Sequence, residues 1–153
     1  MIDTQPCPEC GAARSNGGTC QDDFYQMLYW EAEEPARGVV HHLAVLCYHL
    51  QHPSLYSPAG LRHALGLLED FVVRGQSPAE VRNNNRTKVA SDQRAWKVTA
   101  RPDAHGTYDR PVIWTMTVAD VIAGGADNYI ESVRAWAQAM HAALAASHNL
   151  SKH

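Results

Sequence analysis

Three cysteines near the N-terminus have the types and spacing of metal ligands. Cys7 and Cys10 have two residues between them in Cys7-Pro8-Glu9-Cys10-Gly11, and Cys20 follows after nine intervening residues. Two thiolates across a tight turn can reach one ion, and Gly11 permits the unusual backbone angles of that turn. A redox-active Cys-x-x-Cys is the alternative, but it normally opens a helix in a βαβ unit, which the pattern here lacks. The spacing therefore predicts a Zn²⁺ site with Cys7, Cys10 and Cys20 as ligands.

The fourth ligand follows from the expected packing of the first two helices. If they form an antiparallel hairpin about a turn near residue 36, residues whose numbers sum to about 72 lie side by side, which places Cys20 opposite His52. We predict His52 as the fourth ligand, and the closed Cys3His shell would then be structural. A water in the fourth position would instead make the ion a Lewis acid. The other candidates for the position are His41, His49 and Cys47.

The same register places Glu31 beside His41. An acid facing an imidazole on a neighbouring helix can hold a metal or orient a general base, so Glu31 and His41 are the candidate catalytic pair. The alternative is a hydrogen-bonded pair that only joins two helices. His141 and His148, seven residues apart on the last helix, could bring one further imidazole to this pair.

Helical signals dominate the segments that must position these residues. Apolar periodicity and capping residues predict helices over 22–33, 40–50 and 57–75, a short one opened by the Ser77–Glu80 capping box, one over 117–124, and a long final helix capped by Asp127. Strand-like alternation is confined to 96–100 and 112–117, a loose two-stranded pair. The prediction is a mainly α, single-domain helical bundle with an N-terminal zinc-knuckle arm and a short irregular or two-stranded insertion.

Length and charge restrict the function classes. A chain of 153 residues fits one domain, residues 1–153, with 1–21 as the Cys-rich arm and 22–150 as the bundle. The net charge of −3 argues against a nucleic-acid partner. No apolar run approaches the roughly 20 residues that cross a bilayer, and the first residues do not read as a secretion signal. We expect a cytoplasmic protein that has no membrane partner.

These motifs together resemble those of an uncharacterised bacterial domain-of-unknown-function family. Its pattern reads Cys-x-x-Cys-Gly, a later Cys, Val-His-x-Leu-x-Val, Tyr and Gln-His-Pro, and this chain matches it from Cys7 to Pro53. The resemblance picks out Cys7, Cys10, Cys20, His41, His52 and His148. Leu46 departs from it, since many relatives carry an acid there. The resemblance implies ligands and no activity.

Three functions are compatible with these observations. The first is a small binding or interaction protein, with an unidentified small molecule or protein as its partner, in which zinc is structural. The second is a metal-dependent enzyme acting on a small molecule in a cleft between helices. The third is a redox sensor in which oxidation of the Cys7, Cys10 and Cys20 thiolates releases the zinc.

Overall fold

The chain folds as a mainly helical bundle. The computed structural model describes residues 6–12, 18–77, 80 and 104–150. Its α-helices are α1 (Cys20–Glu33), α2 (His41–Leu50), α3 (Pro58–Val72), α4 (Val118–Ala123) and α5 (Tyr129–Ala146). In this part of the chain, no helix has both the length and the apolar character needed to cross a membrane.

Side-chain caps explain where three of the helices begin. Thr19 and Asp22 form a reciprocal capping box at the start of α1, with the Thr19 amide donating to the Asp22 carboxylate over 2.8 Å. Ser57 caps α3, which has proline at its first position. Thr117 and Asp120 repeat the capping box at α4. Such caps satisfy amides that have no partner inside the helix, so the helices begin directly after these residues.

Helix α5 lies at the centre of the bundle. It packs on α2, α3 and α4, and α1 packs on α4. The apolar side chains that α5 buries completely include Tyr129, Val133, Trp136 and Leu144. Each large apolar side chain removed from water contributes roughly 1.5–3 kcal/mol, so this single face supplies much of the core's stabilisation.

Helices α1 and α2 pair in the predicted antiparallel register. The 3-10 turn Pro35–Val40 connects them. The ring of Phe24 stacks on that of Tyr48 with centroids 4.4 Å apart. Nearer the turn, Glu31 faces His41. Both pairs have residue numbers that sum to 72, as the predicted register requires. The Glu31 and His41 group lies at the end of the helix pair next to the turn, and Cys20 and His52 lie at the other end.

The predicted strand at 112–117 is wrong. The backbone there has no ladder partner among the described residues, and the Met116 carbonyl instead accepts a hydrogen bond from the Gln51 side chain over 2.7 Å. The Gly106 amide donates to the Tyr56 carbonyl over 2.7 Å, and Tyr56 and Ala104 are each in an isolated backbone bridge. The other predicted strand, 96–100, lies outside the described residues.

The N-terminus of α5 also differs from the prediction. A 3-10 turn, Ala126–Asn128, precedes the helix, and Asp127 is an exposed residue of that turn and does not cap α5. Gly125 has a φ of +84°, and the Asn128 side chain donates to the Gly124 carbonyl over 3.0 Å. This local bond closes the turn, so α5 begins at Tyr129, two residues after the predicted cap.

The predicted capping box at Ser77 is present. The Glu80 amide donates to the Ser77 hydroxyl over 3.2 Å, and the Ser77 amide donates to the Glu80 carboxylate over 3.4 Å. The rest of the helix predicted there lies outside the described residues.

Candidate metal centre and the Glu31–His41 pair

The N-terminal turn presents two thiols on one side. The Gly11 amide donates to the Cys7 carbonyl over 2.9 Å, and the Cys7 amide donates to the Ala12 carbonyl over 3.0 Å. Gly11 has a φ of +76°, a left-handed conformation that glycine adopts without a steric penalty. The two hydrogen bonds close the turn, with the Cys10 side chain buried and that of Cys7 partly buried.

Two helix ends complete the cluster. Cys20 is the first residue of α1, and His52 lies two residues beyond the end of α2. The ligand atoms of Cys7, Cys10, Cys20 and His52 all lie within 4.8 Å of one another. Cys10 Sγ is 3.5 Å from Cys20 Sγ, and Cys7 Sγ is 3.6 Å from His52 Nε2. In a tetrahedral zinc–thiolate site, neighbouring sulfurs stand about 3.8 Å apart, so the four atoms fit around one ion.

The imidazole of His52 is oriented for coordination. Its Nδ1 lies 2.7 Å from the Tyr48 carbonyl, and an N–H there fixes the tautomer. This leaves Nε2 as the nitrogen that faces Cys7. The Tyr48 ring packs against the imidazole with centroids 4.5 Å apart. Sequence reasoning missed this support, although a side chain that bonds the carbonyl four residues earlier is a recognisable helix-end pattern.

A further contact fastens the N-terminal turn to the segment after His52. The Ser54 amide donates to a carboxylate oxygen of Glu9 over 3.1 Å. Glu9 lies between Cys7 and Cys10, and Ser54 lies in the 3-10 turn Pro53–Leu55. The arm is therefore joined to the bundle outside the cluster as well as within it.

The close approach of the thiols and the imidazole shifts the pKa values of two members of the cluster. The hydrogen bond with Cys20, and after it burial, raises the pKa of the Cys10 thiol well above its usual value. Burial lowers the pKa of His52, but its contacts with Cys20, the Tyr48 carbonyl and Cys7 outweigh burial and raise that pKa to about 9. Three thiolates this close repel one another, and a bound divalent cation relieves that repulsion.

The other candidates for the fourth position lie outside the cluster. His49 Nδ1 lies 2.8 Å from the Val45 carbonyl. Cys47 is completely buried in the bundle, and burial raises the pKa of its thiol. His41 lies at the opposite end of α2. Of the four histidines and cysteines that the sequence offered for this position, the structure brings only His52 to the three thiols.

The second predicted pair is a close contact between α1 and α2. His41 Nδ1 lies 2.6 Å from Glu31 Oε1. The Glu31 side chain is only 10% exposed, whereas that of His41 is 42% exposed. A buried carboxylate at this distance favours the tautomer with hydrogen on Nδ1, so the lone pair lies on Nε2.

Tyr129 is the third member of this group. Its hydroxyl donates to Oε2, the other oxygen of Glu31, and the tyrosine is completely buried. Burial, and after it the hydrogen bond to Glu31, raises the pKa of Tyr129. His41 and Tyr129 are the first residues of α2 and α5, and the positive ends of helix dipoles favour a carboxylate. No sequence signal identifies Tyr129, since it lies 98 residues from its partner.

His141 and His148 do not join the pair in the described part of the chain. They lie 12 and 19 residues beyond Tyr129, which corresponds to roughly 18 and 28 Å along a helix. His141 Nε2 is buried with no hydrogen-bond partner among the described residues. His148 is exposed just after α5 and has a φ of 60°. Helix α5 does pack on α2, but the α5 residue that reaches Glu31 is its first residue, Tyr129.

The Glu31, His41 and Tyr129 group can accept a proton from a neighbouring molecule. The carboxylate holds two donors, and the imidazole keeps one nitrogen for an external partner. This is the usual arrangement of a carboxylate-oriented general base. The four-donor cluster directs its ligand atoms to one another and suits the retention of an ion.

Comparison with known proteins gives a family and no activity. A model described as a family of unknown function (DUF5946) matches residues 5–145. No curated protein and no solved structure matches the chain.

Proposed function

Since this chain belongs to DUF5946, a family of unknown function, we propose its function from its geometry: it is a small binding protein whose helical fold is held together by a structural zinc ion. Cys7, Cys10, Cys20 and His52 would hold the ion. With four protein donors the shell is closed, and closed shells are typical of structural zinc.

One observation carries this proposal. Four donor atoms from three separate segments lie within 4.8 Å of one another. A Cys3His donor set binds zinc in preference to magnesium or calcium, because thiolates are soft ligands. Oxygen donors do not belong to the set, so the chemistry favours zinc among the common divalent ions.

The ion would join the N-terminal turn to the start of α1 and to the segment after α2. Cys20 begins α1 and His52 follows α2, so one ion would tie the arm, the first helix and the second helix. Because the site does not exist in an unfolded chain, the free energy of metal binding adds to the free energy of unfolding.

Elemental analysis of the purified protein, paired with X-ray absorption at the metal edge, tests the proposal. We expect one zinc per chain with three sulfur neighbours and one nitrogen neighbour. An oxygen neighbour from water would contradict a closed structural site and favour a Lewis acid. A protein that is folded, pure and free of metal would overturn the proposal entirely.

A second candidate function rests on the 2.6 Å contact between His41 and Glu31. We propose that His41 is a general base, that Glu31 orients it, and that the protein is an enzyme acting on a small molecule between helices. The partial exposure of His41 supports this role, since Nε2 needs access to a substrate.

Hydrolysis of p-nitrophenyl acetate, a probe for activated imidazoles, tests this second candidate. The His41→Gln variant should lose at least about tenfold of the rate, in the range that positioned bases contribute. His105→Gln is the matched control, because His105 is exposed and its Nδ1 lies 3.0 Å from a backbone carbonyl, not a carboxylate. Equal rates in the wild type and both variants would refute a catalytic role for His41.

A further inference from the structure

A pocket of about 370 Å³ lies between the start of α2, the end of α3 and the middle of α5. It is separate from the metal centre, because Leu43 in its wall precedes His52 by nine residues, roughly 14 Å along a helix. Pockets that bind small molecules usually measure roughly 300–1,000 Å³, so this one suits a small ligand.

Most of the pocket wall is apolar. Val40 contributes from the end of the 3-10 turn before α2, Leu43 from the first turn of α2, and Phe71 and Val72 from the end of α3. Val40 and Leu43 are buried, whereas Phe71 and Val72 are partly exposed. An apolar group that covered these side chains would gain about 25 cal/mol for each Å² removed from water.

One charged side chain lines the pocket among the described residues, and it is a cation. Arg134 lies on α5, and Gln138 lies one turn further along the same face. No Asp or Glu lines the pocket in the described part of the chain, and no described carboxylate forms an ion pair with Arg134. Arg134 and Gln138 are both exposed, so the guanidinium stands at the mouth of the pocket, where it can pair with an anion from solution.

We propose that this pocket binds a small monocarboxylate with an apolar body, such as a medium-chain acid. The carboxylate pairs with the Arg134 guanidinium, and Gln138 offers an amide N–H beside it. The apolar body covers the wall formed by α2 and α3. This inference deepens the proposed binding role, on which it rests, by naming the class of ligand.

A carboxylate fits this wall better than a phosphate group does. Phosphate sites usually gather several cations or a row of backbone amides, because they neutralise nearly two charges. Arg134 is a single guanidinium, and its planar fork matches the two oxygens of a carboxylate. The mostly apolar lining adds the requirement for a hydrocarbon body.

Titration of the ¹⁵N-labelled, metal-loaded full chain with octanoate, octanamide and acetate tests the proposal. Octanoate should shift the amide resonances of Val40, Leu43 and Val72. Octanamide keeps the hydrocarbon body and loses the charge, so it should bind at least about fivefold more weakly. Acetate keeps the charge and loses the body, so it should produce no saturable shift at these residues.

Two variants and a control locate the binding site. Arg134→Gln should weaken octanoate binding about tenfold, the size of one charge-assisted hydrogen bond. Val39→Trp should block the pocket without disturbing the core, since Val39 lines the pocket and is 49% exposed. Arg62→Gln removes an exposed arginine of α3 that does not line the pocket and should change the affinity less than twofold.

The proposal is overturned if octanoate shifts no pocket resonance at millimolar concentration, or if it binds the Arg134→Gln variant as tightly as the wild type. Equal affinities for octanoate and octanamide would also contradict a carboxylate site. Zinc content, measured on the same samples, separates this failure from failure of the proposed metal role. A zinc-loaded, folded protein that ignores octanoate refutes the pocket alone, and a folded protein without zinc refutes the metal role.

Discussion

The two ends of the α1 and α2 pair carry similar residue types in opposite states. At one end His52 is 5% exposed and its Nε2 faces a thiol. At the other end the His41 side chain is 42% exposed, and its Nδ1 faces the Glu31 carboxylate. Both imidazoles are oriented through Nδ1, one by a backbone carbonyl and the other by a carboxylate.

This difference shows that the groups around an oriented histidine determine which chemistry it can perform. Three converging sulfurs around Nε2 suit retention of an ion, which favours stability over turnover. A largely buried carboxylate at Nδ1 of a partly exposed imidazole suits proton transfer. One helix pair therefore separates a cluster whose geometry suits an ion from a pair whose imidazole is partly exposed.

The largest expected effect is on the metal end. Cys10→Ser should reduce zinc to well below one ion per chain and lower the melting temperature by about 10 °C or more, because structural zinc contributes several kcal/mol. Elemental analysis and a circular dichroism melt measure both. Cys47→Ala is the control, since Cys47 is a buried thiol outside the cluster and its variant should keep zinc. A zinc-free Cys10→Ser protein with an unchanged melting temperature would contradict a structural role for the ion.

A smaller loss is expected at the other end from Tyr129→Phe. This change removes the hydroxyl that donates to Glu31 and leaves a buried carboxylate oxygen without its donor. The cost should be about 2 kcal/mol, and the melting temperature should fall by about 6 °C. Zinc content should stay at the wild-type value, and a fall in zinc would mean that the two ends are not independent.

His41→Ala should have a still smaller effect on stability. The imidazole is partly exposed, so loss of its hydrogen bond should cost about 1 kcal/mol and lower the melting temperature by about 3 °C. Zinc measured by elemental analysis should be retained, because His41 lies outside the cluster. Loss of zinc in this variant would show that His41, and not His52, is the fourth ligand.

The finest test concerns the tautomer of His41, which is read first on the unaltered wild-type protein. Long-range ¹H–¹⁵N NMR correlation of the neutral imidazole should show hydrogen on Nδ1 in the wild type, because the Glu31 carboxylate accepts there. In Glu31→Gln the preference should weaken towards a mixture. A wild-type spectrum with hydrogen on Nε2 would contradict the proposed general base.

Much of the metal end could be predicted from sequence because its determinants are local. The Cys-x-x-Cys-Gly turn closes through bonds within six residues, from Cys7 to Ala12. The helix starts at Ser57 and Thr117 follow from caps that act over three residues. One assumption, an antiparallel hairpin with a short turn, then extends this local knowledge to place Cys20 near His52 and Glu31 beside His41.

Of the two failed predictions, one occurred where a distant partner competes with the local pattern and the other where a neighbouring turn does. The segment 112–117 alternates like a strand, yet Gln51, 65 residues away, takes the Met116 carbonyl. Asp127 is a residue type that often caps helices, but Gly125 and Asn128 form a turn after which α5 begins at Tyr129. Alternation and capping preference are weak terms that tertiary contacts outweigh.

The sequence by itself determined the helices, the three thiols and the register that selects His52, since each depends on contacts within one turn or one hairpin. Only the tertiary structure decided that Tyr129 meets Glu31 and that α2, α3 and α5 leave a pocket beside Arg134. These contacts join residues tens of positions apart, and their geometry is set by how whole helices pack, a sum over many small interactions that no short pattern records.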